Sequence, residues 1–413
     1  MQAHIYLFKG QFVNIIWSAN SRNYFRASIP AFFVLVLSSL LSAPNSQAAE
    51  DKFTLSGFGY QDYRIANTNI YEGADSRGTW ENGILALVMS ANVSDNDTAW
   101  AQLETNPSQP TEFTWAFLDH RFNDDLSIHI GRIKMPYGLY NEYIDNKALQ
   151  LSAIRPSSYS FQADMVHDAY QGIGVDWTVG SLFIQLMEGK IYTPVNNGAI
   201  TDAFTGRDRM YLGSHITWNT PIEGLRFMFS SWDGQVEDNT GIQATPGLGP
   251  LEKETRRMYS VEYLTDRLDL KAEHNNHIVP PNAPHDSQPV PNCSVTVPGN
   301  PPTTAQCMQD AIPSAPSNTT VSWYVQAGYK FGPWTPYARY DYFVHDDSDP
   351  GDPGSYQKEW VFGVNYKIDA NLNWRIEDHI IDGYGLAVAT GDMSYGGGDT
   401  KWNMMATEIN FKF

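Results

Sequence analysis

The chain closes on Asn403-Met404-Met405-Ala406-Thr407-Glu408-Ile409-Asn410-Phe411-Lys412-Phe413, a polar/apolar alternating strand that stops on an aromatic side chain. The last strand of a soluble domain usually trails into a few disordered polar residues. A strand that must seal against the first strand of a cylinder needs no such tail, because the chain can stop at the seam. The stretch therefore poses two folds: a closed β-barrel, or a soluble β-sandwich whose last strand happens to end in Phe.

Working back from that end, strand character recurs at 53–65, 80–92, 98–106, 111–121, 126–134, 169–178, 182–190, 208–219, 225–233, 255–265, 268–278, 321–331, 335–345, 357–367, 372–381 and 401–413. These sixteen segments are each about the 9–11 residues that a tilted membrane-spanning strand needs. Seven connections are tight and rich in Gly, Pro, Asn and Asp, among them Ser94-Asp95-Asn96-Asp97, Val179-Gly180-Ser181 and Phe331-Gly332-Pro333-Trp334. Between them fall connections that are mostly long, such as 135–168, 234–254, 279–320 and 383–400, with Pro107–Pro110 the short exception. A sandwich has no reason to sort loop length by parity, whereas a transmembrane barrel has short turns on one side and long loops on the other. Side chains agree: Trp360, Phe362, Val364 and Tyr366 oppose Glu359, Gly363, Asn365 and Lys367, and Leu212, Ile216 and Trp218 oppose Tyr211, His215 and Thr217. The segments near 53–65, 80–92 and 111–121 alternate poorly. The fold expected is all-β: a 16-stranded antiparallel transmembrane β-barrel with short periplasmic turns and long external loops.

Composition narrows the class. Aromatics are 13% of the chain, with 23 Tyr and 12 Trp, although the chain is polar on average, as alternate lipid-facing and water-facing residues require. No stretch after residue 41 approaches the 18 apolar residues of a membrane helix. The formal net charge of −19 argues against nucleic-acid partners. The first 49 residues differ from the rest: Lys9, Arg22 and Arg26 without acidic partners, the apolar run 29–41, then Ser46-Gln47-Ala48. This reads as a cleaved signal peptide over 1–48, with an uncleaved anchor as the alternative, and leaves 49–413 as a single barrel domain. Cys293 and Cys307 lie in the Pro-rich external loop 279–320 and most simply form one disulfide. No cofactor or metal is expected. The acidic run from His345 to Asp352 lacks the spaced pattern of a calcium loop and reads as a solvated loop.

Gly131-Arg132-Ile133-Lys134-Met135-Pro136-Tyr137-Gly138-Leu139-Tyr140-Asn141-Glu142-Tyr143 is the most specific motif, followed by Arg155-Pro156-Ser157-Ser158-Tyr159. With Gly57-Phe58-Gly59-Tyr60-Gln61-Asp62-Tyr63 and the final Phe413, it resembles the phosphate-selective porin O/P superfamily and related substrate-specific porins of Gram-negative bacteria. The terminal Phe resembles the signal read by the barrel-assembly machinery. The resemblance implies an outer-membrane location, a homotrimer in contact with outer-membrane lipid and lipopolysaccharide, and a third external loop, 135–168, that folds inward and narrows the pore; the alternative is that this loop only packs on the rim. It places Glu142, Asp145, Lys147, Arg155, Asp164 and Asp168 at the constriction, where rings of charge set ion preference. Arg132 and Lys134 are the anion-contacting candidates, although strict alternation sends Arg132 outward unless Gly131 kinks the strand.

The arginine ladder that phosphate selectivity implies is missing. Arg209, Arg256, Arg339 and Arg375 are scattered along the expected lining, and acids such as Glu262, Glu273, Asp341, Glu359 and Glu377 interleave with them, which suits paired charges better than an anion track. The function expected is a porin: passive diffusion of small hydrophilic solutes or ions, no enzymatic chemistry, and a lean towards cations or neutral solutes. The alternatives are an outer-membrane lipid hydrolase and a soluble secreted β-protein.

Overall fold

The computed structural model describes residues 52–80, 83–106, 109–160, 168–191, 211–236, 252–279, 318–345, 351–389 and 399–413. The signal-peptide expectation for 1–48, Asp164, Arg209, Cys293, Cys307 and nearly all of the Pro-rich loop lie outside these residues.

The strands are β1 (Phe53–Ala66), β2 (Asn69–Ile70), β3 (Gly83–Asn92), β4 (Asp97–Asn106), β5 (Gln109–Arg121), β6 (Leu126–Lys134), β7 (Ala169–Val179), β8 (Leu182–Ile191), β9 (Tyr211–Asn219), β10 (Leu225–Val236), β11 (Glu252–Leu264), β12 (Leu268–Val279), β13 (Asn318–Tyr329), β14 (Trp334–Val344), β15 (Tyr356–Lys367), β16 (Leu372–Gly383), β17 (Val388–Ala389) and β18 (Lys401–Lys412). All but β2 and β17 form one closed antiparallel barrel of sixteen strands, each paired with its sequence neighbour, with β18 closing on β1. The sixteen segments read from the sequence are these sixteen staves. The missed elements are β2 and β17, a two-residue ribbon between distant loops that carries no alternation to detect.

The seam joins Phe413 to β1. Phe413 N–H donates to Gly57 O and Gly57 N–H to Phe413 O, both at 2.9 Å. The rings of Phe411 and Phe413 lie over Gly59 and Gly57: a Cβ on Gly57 would sit 2.4 Å from Phe413 Cζ and 2.8 Å from Ala86 O. Alternation fails in β1 because two outer positions are glycines whose surface is supplied by aromatic rings of the neighbouring strand. In β5 it fails because the β4–β5 register shifts between Gln102 and Leu103, with Thr114 as the extra residue.

Register divides every stave into two rows. The outer rows carry exposed Trp177, Ile173, Leu212, Trp218, Phe227, Val325, Trp360, Phe362, Ile380 and Ile409. Rings meet between strands on this surface, as in Trp218–Phe227 at 5.9 Å and Trp334–Tyr366 at 4.3 Å. The inner rows carry charge: Arg375 faces Glu408 across β16–β18, Asp341 faces Glu359 across β14–β15, and Lys271 faces Glu262 across β11–β12. No helix among the described residues is long and apolar enough to cross a membrane, which says nothing of crossing by strands.

Candidate functional site: the lumen and its inserted loop

Residues 135–160 leave β6 and lie mainly against the inner rows of β10 to β16, with Lys147 reaching the Tyr60 ring of β1 and Asp145 and Glu142 reaching Gln102 of β4 and Gln185 of β8. Irregular backbone inside a barrel has no ladder partner, so each buried N–H and C=O must be met by a side chain. The wall supplies both kinds. Carboxylates accept from loop amides: Glu273 from Leu139 N–H at 2.8 Å, Glu377 from Ala153 N–H at 2.8 Å and Ile154 N–H at 3.0 Å, Asp341 from Ser157 N–H at 3.2 Å. Guanidiniums donate to loop carbonyls: Arg339 to Ile154 O at 2.9 Å, and Arg375 to Lys147 O at 2.6 Å, to Ser152 O at 3.3 Å and to Gln150 O. Neutral groups complete the set, with Gly138 N–H donating to Ser230 Oγ at 2.9 Å and Tyr137 hydroxyl to Asn275 Oδ1 at 2.6 Å, while Asn275 Nδ2 donates to Ser158 O at 3.1 Å. The interleaving of acids and bases on one face thus serves the two polarities of a peptide backbone.

The two motifs meet at Tyr159. Its hydroxyl accepts from Leu139 N–H at 2.7 Å and Tyr140 N–H at 3.1 Å, and donates to Glu273 Oε2 at 2.7 Å. Burial, with the Glu273 carboxylate beside it, holds this phenol well above the ordinary tyrosine range, in its donating form. Gly138 has φ 62°, and a Cβ there would sit 2.2 Å from both Tyr159 Oη and Met258 Sδ. The glycine is needed for the turn and for the close approach.

The expected lining residues divide. Arg256, Arg339, Arg375 and Glu377 face inward but are essentially buried, so they are not an open lining, and Arg339, Arg375 and Glu377 anchor the loop. Arg375 binds Glu408 at 2.8 Å, 33 residues away, instead of the nearby Glu377. Glu377 is engaged by the loop, by Tyr337 hydroxyl and by His379 at 3.2 Å. Arg256 lies over the Trp232 ring at 4.7 Å. Arg132 is a correction to the lining: Gly131 does take φ 144°, yet Arg132 pairs with Gln171 in the row of Ile130 and Ile173, which are 56% and 48% exposed on the outer face. Its Nη1 donates to Phe113 O at 3.0 Å. Lys134 is held between Asp145, at 2.5 Å, and Asp168.

Within the loop, Arg155 pairs with Glu72 at 3.2 Å. Burial pushes the Glu72 carboxyl up, but Arg155, Arg64 and Lys147 outweigh it and hold it below the usual range. Lys147 is buried, donates to Ala153 O at 2.9 Å, and has its pKa lowered by that burial to about 8. Sequence reasoning gave no role to Ser230, to Asn275 or to Tyr324, whose hydroxyl donates to Glu273 Oε2 at 2.7 Å. Their only signal was inward parity, which says that a residue faces the lumen and not what it meets there.

The wall formed by β4 to β9 is less covered. Trp100 is 37% exposed on its inner row, and the side chain of Asp176 is 26% exposed; Arg226, at the edge of this wall on β10, is 39% exposed. From the loop, Glu142 is exposed towards this side and accepts from Gln185 Nε2 at 3.2 Å. His129 bridges Asp119 at 3.2 Å and Asp176 at 3.1 Å. Arg226 is tied to Glu262. The open side of the lumen therefore has more carboxylates than cations.

No family profile and no curated protein matches the chain. Solved structures do. An anion-selective porin from Comamonas acidovorans is 11% identical, with 87% of this chain and 99% of that chain covered and a TM-score of 0.55. OmpF of Salmonella typhi, solved in complex with daunomycin, is 14% identical over 87% and 97% of the two chains, with a TM-score of 0.53. The trimer form of OmpT, an outer-membrane protein of Vibrio cholerae, is 11% identical over 87% and 99%, with a TM-score of 0.52. At such identities the likeness is one of fold: the chain has the architecture of a porin-type outer-membrane barrel.

Proposed function

We propose that the protein is an outer-membrane porin, a passive channel for small hydrophilic solutes that favours cations over anions and performs no chemistry. The carrying observation is the distribution of charge around the inserted loop. On the β10–β16 side, acids and bases are consumed in pairs and in backbone anchoring. On the β4–β9 side, Glu142, Asp119 and Asp176 stand beside a single histidine. Fixed charge in a narrow aqueous path biases which ion enters. The structural neighbours support the porin reading and the outer-membrane location. The trimer form of the Vibrio protein supports assembly as a homotrimer. Outer-leaflet lipid and lipopolysaccharide around the aromatic belt, and recognition of Phe413 by the assembly machinery, complete the set of partners.

The test is a reversal-potential measurement in planar bilayers under a salt gradient. Cation selectivity is expected, and Glu142→Gln with Asp176→Asn should lower the cation/anion permeability ratio by about two- to fivefold, the effect of removing charges several ångströms from a passing ion in water. Anion selectivity in the unmodified protein, or a ratio that ignores both substitutions, would overturn the assignment.

A further inference from the structure

Three aromatic rings stand on the inner rows of β4 and β5, where a wet wall would ordinarily carry polar groups. Trp100 is opposite Phe117 across the β4–β5 pairing, Trp115 lies 5.7 Å from Phe117, and Phe117 meets His129 edge-on at 5.2 Å. Other inward aromatics, such as Tyr324, Phe343 and Trp402, are fully buried. Apolar surface left in water costs about 25 cal/mol per Å², so a ring as open as Trp100 is a place where something else can gain by covering it. Carboxylates border the strip. Asp176 holds one nitrogen of His129, Asp119 lies 3.2 Å from the other, and Glu142 of the loop is exposed beside Gln185. Gln185, 8% exposed and next to Asp176 in register, gives its amide N–H to Glu142, while its Oε1 has no hydrogen-bond partner among the described residues. The nearby cations are committed, Arg226 to Glu262 and Lys134 to Asp145 and Asp168.

We infer that this strip is a binding lane for organic cations, amines with a flat or bulky apolar body. The body covers Trp100 and Phe117, the charged nitrogen lies against a ring face and is held by Glu142 and Asp176, and an N–H of the amine can be accepted by Gln185. Flat rings bordered by surplus carboxylate suit a cation over both alternatives: a neutral sugar could stack on the rings but would leave the charge unused, and an aromatic anion would be repelled. The inference rests on the channel reading in that the lane must be open to water, and its test separates the two.

Single-channel recordings with benzyltrimethylammonium as the probe should show brief current interruptions. Trp100→Ala should shorten them about fivefold, the loss expected from one cation–ring contact, and Trp100→Phe should restore most of the residence time. Asp176→Asn should reduce how often they occur. Heat-modifiable gel mobility reports whether each variant is folded, and calorimetric titration of the same probe into the detergent-solubilised protein reads binding without passage. Conduction without interruptions or calorimetric binding would overturn the lane while leaving the channel intact. Interruptions by glucose or benzenesulfonate as long as those by the cation would overturn the ligand class. Absence of conduction would overturn the channel, and the calorimetric result would then decide the lane alone.

Discussion

Glu377→Gln is the perturbation that best isolates how the loop is held. The carboxylate has two oxygens and four donors around it: Ala153 N–H at 2.8 Å, Ile154 N–H at 3.0 Å, the Tyr337 hydroxyl, and His379 at 3.2 Å. A carboxamide of the same shape offers one acceptor oxygen and turns its NH₂ towards groups that are themselves donors. Hydrogen bonds to a charged acceptor contribute about 1.5–3 kcal/mol each, and a buried N–H left without a partner costs about 1–3 kcal/mol. Ala153 N–H and Ile154 N–H bond different oxygens, so one loop amide loses its acceptor and the other keeps a neutral one, which weakens docking of this stretch by about 2 kcal/mol, a rise of about 30-fold in the undocked population at 1.4 kcal/mol per tenfold. The barrel ladder is untouched, so heat-modifiable mobility should be retained. Hydrogen exchange read by mass spectrometry should show faster exchange in the peptide containing Ala153 and Ile154, and single-channel traces should become noisier, with excursions to higher conductance. Unchanged exchange together with an unchanged, quiet conductance would refute the view that this carboxylate pins the loop.

Two further outcomes follow from the same geometry. Gly57→Val should block closure of the barrel, because a side chain there meets the Phe413 ring and the backbone at Ala86 O; the readout is loss of the heat-modifiable folded band, and normal folding of this variant would contradict the seam. Loop docking should also tighten with alkaline pH through Lys147. Burial lowers its pKa from 10.5 to about 8, a shift that Glu408 and Asp62 oppose and Arg155 and Arg64 reinforce. Below about 8 the amine is charged whether the loop is docked or free, and burial opposes docking in full. Between about 8 and 10.5 the docked loop has shed the proton and the free loop has not, so docking strengthens as pH rises through that window and levels off above it. Lys147→Met should flatten this dependence in exchange measurements across the window, and a wild-type profile already flat there would count against it.

The strand count, the sorting of turns and loops and the face of most side chains were legible in the sequence because each depends on a few adjacent residues. Period-2 alternation marks a stave, and Gly, Asn, Asp and Pro mark the turns that reverse it. Alternation failed at Gly57 and Gly59, whose surface comes from Phe413 and Phe411 across the seam, and near Thr114, where a register shift adds a residue. The first cause lies in the neighbouring strand, and the second is an extra residue in β5 that shows only against the register of β4.

Partnership was decided only by the tertiary structure. Inward parity gave Arg375, Arg339, Glu377 and Asp341 the same meaning as any pore-lining charge. Parity names a face, and the lumen is shared by every stave and by the loop inside it. Once the loop lies mainly along β10 to β16, charges on that side satisfy its backbone, and the carboxylates and rings along β4 to β9 are left less covered. Sequence spacing cannot encode that asymmetry, because it arises from contacts between residues more than a hundred positions apart, such as Leu139 with Glu273 and Ile154 with Arg339.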